Sequence, residues 1–542
     1  RSAPVVSTPE EAVTFVNSEE KDGKRKYKIA IFAPYMANSQ LLWNKRVGEE
    51  LAKAGHAVTI YLMSMYEMNS PKVGIDPKIR VVHVNGSFGL SGEEMMKDQA
   101  FLSFNDVPVW DPRFRKSAQI FAEMYKSCEL FVKDKKFLAD VETSKFDIAF
   151  THMYNNCPIG IIHHARIPTW IWLNSGALME NVAELMGVPV PPSYCPPIMM
   201  DAGEELGFVG RVKSFIGHAT FKVLWRTVVA NKETEIFRKE FGQDFPDIID
   251  LMAKAPLVMV NSNELYDFPR PTISKIVNIG GVGIKTKHAK PLTQEFSSRI
   301  EKAKGIIVMS FGSIAPMYLM PDHWKEAYFH AFAQFPDVQF FLRYEKVEEI
   351  ASKLPPNALA VKWLPQSDLL QHPKCLGLIS HGGYNSVQDV MHAGVPIVTT
   401  ALFADQPRNA HLVERLGMGV NLHKSSISKE TVVAAIRRLV EDQSLKQNAQ
   451  KMKSMIATKP VSSENLLVKW TEFLVQHKKL DNLVPYGVHL NFFVYHSLDV
   501  IVFLTATVLS VLSVLFLILR RLFKFCYFFG IKRLEDIQKK KN

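Results

Sequence analysis

The stretch "CLGLISHGGYNSVQD", Cys375–Asp389, decides the architecture. It opens as a largely apolar run, as a strand buried on both faces requires, and two glycines then turn the chain into "YNSVQD", where a helix can start. The N-terminus of such a helix presents unpaired N–H groups and a partial positive charge, so the turn suits a diphosphate. His381 at the strand end can donate to a phosphate oxygen. Gly382 and Gly383 let the backbone come close, and Asn385 and Ser386 add hydrogen bonds from the first helical turn. Asn385 and Asp389 are four apart and share a helix face, so Asp389 can accept from the vicinal hydroxyls of a ribose. Taken singly, Asn385 reads equally well as a helix cap and Asp389 as a solvated charge.

The same strand-then-helix pattern recurs on both sides. Upstream, "YKIAIFAP" (27–34), "HAVTIYLM" (56–63), "FDIAFTH" (146–152), "IPTWIWLN" (167–174) and "APLVMVNS" (255–262) are short apolar runs separated by helical intervals. A second series holds "GIIVMSFGS", "DVQFFLRY", "ALAVKWLP", "CLGLISHGG" and "VPIVTTAL". Between them, near residues 280–300, the composition shifts to glycine, lysine and proline. The expectation is an α/β protein of two Rossmann-like lobes facing a cleft, with ligands at the carboxyl ends of the strands. The expected boundaries are a polar lead-in over 1–26, a first lobe over 27–284, a linker over 285–304 and a second lobe over 305–489. The proline-rich "GVPVPPSYCPPIMM", Gly187–Met200, cannot be a helix interior and reads as a surface loop or an apolar flap.

From Trp363 to Gln406 the chain reads "WLPQSDLLQHPKCLGLISHGGYNSVQDVMHAGVPIVTTALFADQ". This closely resembles the donor-binding signature of the family 1 UDP-glycosyltransferases, the class that includes the animal UDP-glucuronosyltransferases, and here an invertebrate-type member. The resemblance implies a GT-B fold and position-by-position roles. Trp363 and Gln366 would contact the uracil; His381, Asn385 and Ser386 the diphosphate; Asp389 the ribose, one methylene shorter than the family's usual glutamate. Asp405 and Gln406 would bind the sugar hydroxyls. "VMSFGS", with Ser310, Gly312 and Ser313, resembles the family's phosphate-side loop. The resemblance implies UDP-sugar as co-substrate, a small lipophilic acceptor and no metal or other cofactor, in keeping with the lack of any Asp-x-Asp pair.

The departure is in the catalytic dyad. Inverting transfer to a hydroxyl calls for a general base, in this family a histidine supported by an aspartate. Counting along the chain, the base position falls on Gln40 and the supporting position on His152. Three readings stay open: His152 acts as the base with Gln40 orienting the acceptor; the acceptor brings a self-activated nucleophile such as an amine or acidic phenol; or the protein binds UDP-sugar and transfers poorly, as a partner subunit. A membrane-lipid glycosyltransferase of the same fold is a further alternative, and homo- or hetero-oligomers are left open.

The net charge of +11 is dispersed over the chain, which argues against nucleic acid as a partner. Its densest run follows "VIVFLTATVLSVLSVLFLIL", Val500–Leu519, an uncharged stretch long enough to span a bilayer as a helix. A membrane-helix region over 490–521 and a basic tail over 522–542 are expected, with the tail cytosolic and the lobes lumenal. The terminal "KKKN" resembles a dilysine signal, so a single-pass type I protein of the endoplasmic reticulum follows, its signal peptide removed or outside this numbering. Lumenal placement would make Asn85-Gly86-Ser87 a glycosylation sequon. The five cysteines show no CxxC pair and no disulfide framework, and read mostly as buried thiols.

Overall fold

Each lobe is built on a parallel sheet most of whose strands are the β-branched and aromatic runs picked out above. The computed structural model describes residues 20–21, 24–36, 38–67, 74–89, 91–105, 107, 110–284, 290–312 and 315–540. In the first lobe seven strands follow the chain: β1 (Lys28–Tyr35), β2 (Ala57–Ser64), β3 (Arg80–Asn85), β4 (Ile148–His152), β5 (Trp170–Asn174), β6 (Leu257–Val260) and β7 (Ile276–Asn278). They lie in the order β3-β2-β1-β4-β5-β6-β7, every pair parallel. The second lobe has six: β8 (Gly305–Ser310), β9 (Val338–Arg343), β10 (Ala358–Val361), β11 (Cys375–Ser380), β12 (Ile397–Thr399) and β13 (Gly419–Asn421), ordered β10-β9-β8-β11-β12-β13, again all parallel. In both sheets the order reverses beside the first strand of the lobe, and the crevice at that switch point is where such folds bind ligands.

The helices used below are α1 (Asn38–Lys53), α2 (Cys157–His164), α3 (Phe208–Trp225), α4 (Asn231–Phe241), α5 (Tyr384–Ala393), α6 (Gln406–Arg415), α7 (Ser463–His477) and α8 (Leu498–Lys539). Helix α1 buries Leu41, Asn44, Val47, Gly48 and Leu51 against the first sheet, the i, i+3, i+4 spacing of a one-sided helix. Helix α5 follows β11 directly, as its sequence requires.

Several features differ from the sequence expectation. The linker is partly helical: Gln294–Lys302 buries Phe296 and Ile300 in the second lobe's core, while residues 285–289 lie outside the described set. The second lobe does not keep its own C-terminal helix. Leu467, Leu474 and Val475 of α7 pack into the first lobe's core, Ser463 Oγ donates to the Gly280 carbonyl at 2.8 Å, and Thr169 Oγ1 donates to the Lys478 carbonyl at 2.6 Å. Within the lead-in, Glu20–Lys21 pairs antiparallel with Lys24–Arg25.

The cysteines are also corrected. Cys128, on the helix Tyr125–Lys133, is disulfide-bonded to Cys157 at the start of α2, with Cα atoms 5.5 Å apart, whereas Cys195 and Cys375 are the expected buried thiols and Cys526 is exposed. Their wide spacing hid a pairing that only the packing of two helices creates.

Val484–Asn542 forms a unit of its own. Its helix α8 has 42 residues with a mean hydropathy of 2.7 in its most apolar window, long and apolar enough to cross a membrane. It continues to Lys539, so the expected basic tail is helical over most of its length.

Candidate active site

A cavity of about 880 Å³ opens between the two lobes at the carboxyl ends of β8 and β11. Its lining brings together Ser310, Gly312, Trp363, Gln366, His381, Gly383, Asn385, Ser386, Asp389, Asp405 and Gln406 from the second lobe, and Gln40 from the first. Ser313 lies outside the described residues. Gly382 contributes from behind the lining: its φ of +79° makes the turn, and its carbonyl accepts from Asn409 Nδ2 at 3.0 Å.

One end of the cavity is lined by backbone. Helix α5 has no side chain capping its N-terminus, so its first N–H groups are left for an anion. The His381 ring fits against Gly312, where φ is +74° and a Cβ would stand 2.8 Å from the imidazole; only glycine allows both. Burial, with the Arg343 guanidinium nearby, pulls His381 down to about 4, so its ring stands at the cavity as a neutral imidazole. Arg343 itself lines the cavity and donates to the Gly312 carbonyl at 2.9 Å.

Trp363, also on the cavity, is 66% exposed, its face free for stacking. Gln366 Nε2 donates to Asp389 Oδ2 at 3.1 Å, and Arg46, reaching over from α1, lies 3.8 Å from the other carboxylate oxygen. Burial raises Asp389, with Arg46 and Gln366 acting against it. Elsewhere on the lining Gln406 Oε1 accepts from the Leu402 and Phe403 N–H groups at 2.9 and 3.2 Å. Its amide nitrogen is thereby turned away from the loop, beside an Ala404 held at φ +55°. Asp405 accepts from Asn409 Nδ2 at 2.9 Å, and burial raises its carboxyl.

The lobes are joined by polar contacts around this cleft. Ser262 and Tyr384 hydroxyls meet at 2.6 Å, Gln388 Nε2 donates to the Asn261 carbonyl at 3.0 Å, and Arg408 pairs with Asp267 at 2.5 Å in a buried bridge. Burial works to raise Asp267, but Arg408 and Ser262 outweigh it and hold the carboxyl below its ordinary range.

The first lobe forms the opposite wall of the cavity: Gln40, Leu42, Trp43, Tyr154 and Ser175 among others. Gln40 Oε1 is buried with no hydrogen-bond partner, an unsatisfied acceptor within that wall. His152 stands elsewhere. It is fully buried behind the wall, its Nδ1 accepts from the Tyr154 N–H at 3.3 Å, and its ring packs edge-on against Trp43 with centroids 5.9 Å apart. Burial alone pulls it down to about 3. Among the described residues the first lobe contributes neither a carboxylate nor an imidazole to the cavity lining. Arg46, Arg343, Trp43 and Tyr154 were not singled out from the sequence as site residues, because each is brought in by tertiary packing rather than by a local pattern.

A family model described as "UDP-glucoronosyl and UDP-glucosyl transferase" matches residues 30–539. The chain belongs to this family. Human UDP-glucuronosyltransferase 1A9 is 32% identical over 399 residues, 73% of each chain, and ugt-48 of Caenorhabditis elegans is 29% identical over 505 residues, 91% of this chain and 94% of its own. Among solved structures, the spinosyn forosaminyltransferase SpnP superposes with a TM-score of 0.54 at 14% identity, over 83% of this chain and 99% of its own, which shows the GT-B fold. This UDP-glycosyltransferase is therefore an enzyme that takes a UDP-sugar donor and an acceptor.

Proposed function

We propose that this UDP-glycosyltransferase moves a hexose, glucose or glucuronic acid, from UDP to a small lipophilic acceptor with inversion, and that the acceptor supplies a nucleophile needing little base assistance. The observation that carries this reading is the acceptor wall: Trp43, Leu42 and Tyr154 for an apolar body, Gln40 Oε1 to accept one hydrogen bond, and no proton acceptor of suitable basicity among the described residues there. An amide carbonyl orients an O–H or N–H and does not remove its proton. His152 is proposed as a positioning residue that holds Trp43 and Tyr154, since its accepting nitrogen is already engaged and its burial leaves it a weak base.

In the step itself the acceptor's lone pair forms the new bond to the anomeric carbon from the first-lobe side while the bond to the UDP oxygen breaks on the other, inverting the centre; the acceptor's proton goes to water, before attack from an acidic phenol or after it from the ammonium that an amine forms. The charge arriving on the diphosphate is met by the α5 N-terminus, His381, Asn385 and Ser386. Asp389 holds the ribose, Trp363 and Gln366 the base, and Asp405 with Gln406 the sugar. Catalysis rests on positioning and on this fixed electrostatic cradle. The proposed setting is the endoplasmic reticulum membrane, lobes lumenal and α8 spanning; the Cys128–Cys157 disulfide is the kind of bond an oxidising lumen sustains.

The test is UDP release by the detergent-solubilised chain with UDP-glucose and UDP-glucuronic acid over amines, phenols of graded acidity and aliphatic alcohols. Rates should climb with phenol acidity and stay low on alcohols, and Gln40→His should restore alcohol turnover by up to the roughly 10²–10⁴-fold a general base contributes. Fast alcohol turnover by the wild type, abolished in His152→Ala with UDP binding intact, would return the base role to His152.

A further inference from the structure

Two adjacent cations on α1 have different fates. Lys45 pairs with Glu49 one turn along its own helix, at 3.6 Å. Arg46 instead crosses the cleft: a guanidinium nitrogen lies 3.8 Å from Asp389 Oδ1 on α5, with both side chains 12% exposed. The crossing follows from the spacing of the helix. Leu41, Asn44, Val47, Gly48 and Leu51 take the face against the sheet, and Ser39, Leu42 and Arg46, at i, i+3 and i+7, take the face that lines the cavity. That face meets α5 a second time, where Asn385 Nδ2 donates to the Ser39 carbonyl at 3.4 Å. The stem of Arg46 is held from behind by Gly283: φ there is +68°, and a Cβ would stand 3.0 Å from that of Arg46.

Arg46 and Asp389 do not complete an ion pair. At 3.8 Å the two atoms are beyond hydrogen-bond distance. Oδ1, though buried, has no hydrogen-bond partner among the described residues, while Oδ2 accepts from Gln366. A charged pair held this way gains attraction without the hydrogen bonds that would offset its desolvation. One hydroxyl group supplies both: its O–H donates to the carboxylate, and its lone pairs accept from the guanidinium. An oxygen about 2.8 Å from each atom spans the 3.8 Å between them. Arg46 and Asp389 both line the cavity, so such a hydroxyl arrives from the cavity side.

We propose that Arg46 is a ribose-binding residue supplied by the first lobe: a hydroxyl of the donor's ribose donates to Asp389 and accepts from the Arg46 guanidinium, so both lobes grip the nucleotide. This rests on the reading of Asp389 as the acid that holds the ribose. The guanidinium yields at the end of its stem as the hydroxyl enters, and its charge stays beside the carboxylate. Its contribution is selectivity for ribose rather than general affinity, because without the hydroxyl both charged groups lose a hydrogen bond.

The test is titration calorimetry on the detergent-solubilised chain with UDP and with 2′,3′-dideoxy-UDP, which has the same base and phosphates. Wild type should favour UDP by roughly 10- to 100-fold, the range of hydrogen bonds to charged groups. Arg46→Met should cut that preference by about tenfold and leave dideoxy-UDP binding as it was. Arg46→Lys, which keeps a cation and its donors, should retain most of the preference. If Asp389→Asn lowers the preference and Arg46→Met does not, the Arg46 proposal falls and the ribose reading of Asp389 stands; if neither lowers it, both fall. Equal loss of both ligands by an Arg46→Met protein that melts like wild type would assign Arg46 to the base or the phosphates and overturn the proposal. Arg46→Gln puts the same question should Arg46→Met not fold.

Discussion

Replacing Glu233 by glutamine should make this protein more stable, and increasingly so as pH rises. Glu233 on α4 is 3% exposed, its Oε2 accepts from Asn156 Nδ2 at 3.1 Å, and the Cys157 N–H also helps it, yet burial dominates and pushes the carboxyl from 4.5 up to about 8. A carboxyl raised in the fold contributes stability that is whole below the unfolded value of 4.5 and is lost as pH climbs through 8. At pH 7, well above 4.5, the loss is about 3 kcal/mol. Glutamine keeps the shape and the acceptor oxygen for Asn156 and never ionises. Thermal unfolding of wild type and Glu233→Gln in detergent, from about pH 5 to about pH 8, should therefore show a small difference at the acid end. It should widen to several degrees at the alkaline end, since about 1 kcal/mol moves Tm by roughly 2–4 °C in a lobe of this size. A difference independent of pH, or a mutant less stable than wild type at the alkaline end, would refute the reasoning.

Three further outcomes are expected. Asp389→Asn should weaken UDP binding, measured by titration calorimetry, by about 2 kcal/mol or roughly 30-fold, through loss of charge-assisted hydrogen bonds to the ribose. Cys128→Ser, which opens a loop of sequence separation 29, should cost about 3–4 kcal/mol and lower Tm under non-reducing conditions only relative to the oxidised wild type. His152, lowered from 6.5 to about 3, contributes stability that is complete above pH 6.5 and lost as pH falls toward 3; cooling the pH from about 7 to about 5 should cost about 2 kcal/mol, and His152→Phe should flatten that part of the Tm profile.

That the residues expected to bind the donor line one cavity was legible because they are close in sequence. Strand β11, the glycine turn and α5 put His381, Asn385, Ser386 and Asp389 on one short stretch, and Trp363, Gln366, Asp405 and Gln406 lie close on either side. The central strands were legible for the same reason, as runs buried on both faces. Edge strands were not: "RVVHVN" of β3 interleaves a histidine and an asparagine, and β13 is three residues long. The helix Gln294–Lys302 was hidden by the lysines and prolines before it. Arg46 beside Asp389, Glu233 beneath Asn156 and the Cys128–Cys157 bond each depend on residues far apart in sequence meeting through packing, and no local pattern announces such meetings. The displacement of His152 from the cavity belongs here too, because counting residues from a motif fixes a position along a strand and not the side chains packed in front of it.

The return of α7 to the first lobe has a practical and a mechanical consequence. The chain crosses between the lobes twice, once near residue 290 and again between Ala457 and Ser463, so two stretches of chain tie the lobes together like a pair of pins. Any shortened form made to dispense with α8 must keep α7 through Leu480, because a cut at the end of the second lobe's own sheet would strip Leu467, Leu474 and Val475 from the first lobe and leave a bare apolar face where a pin had been.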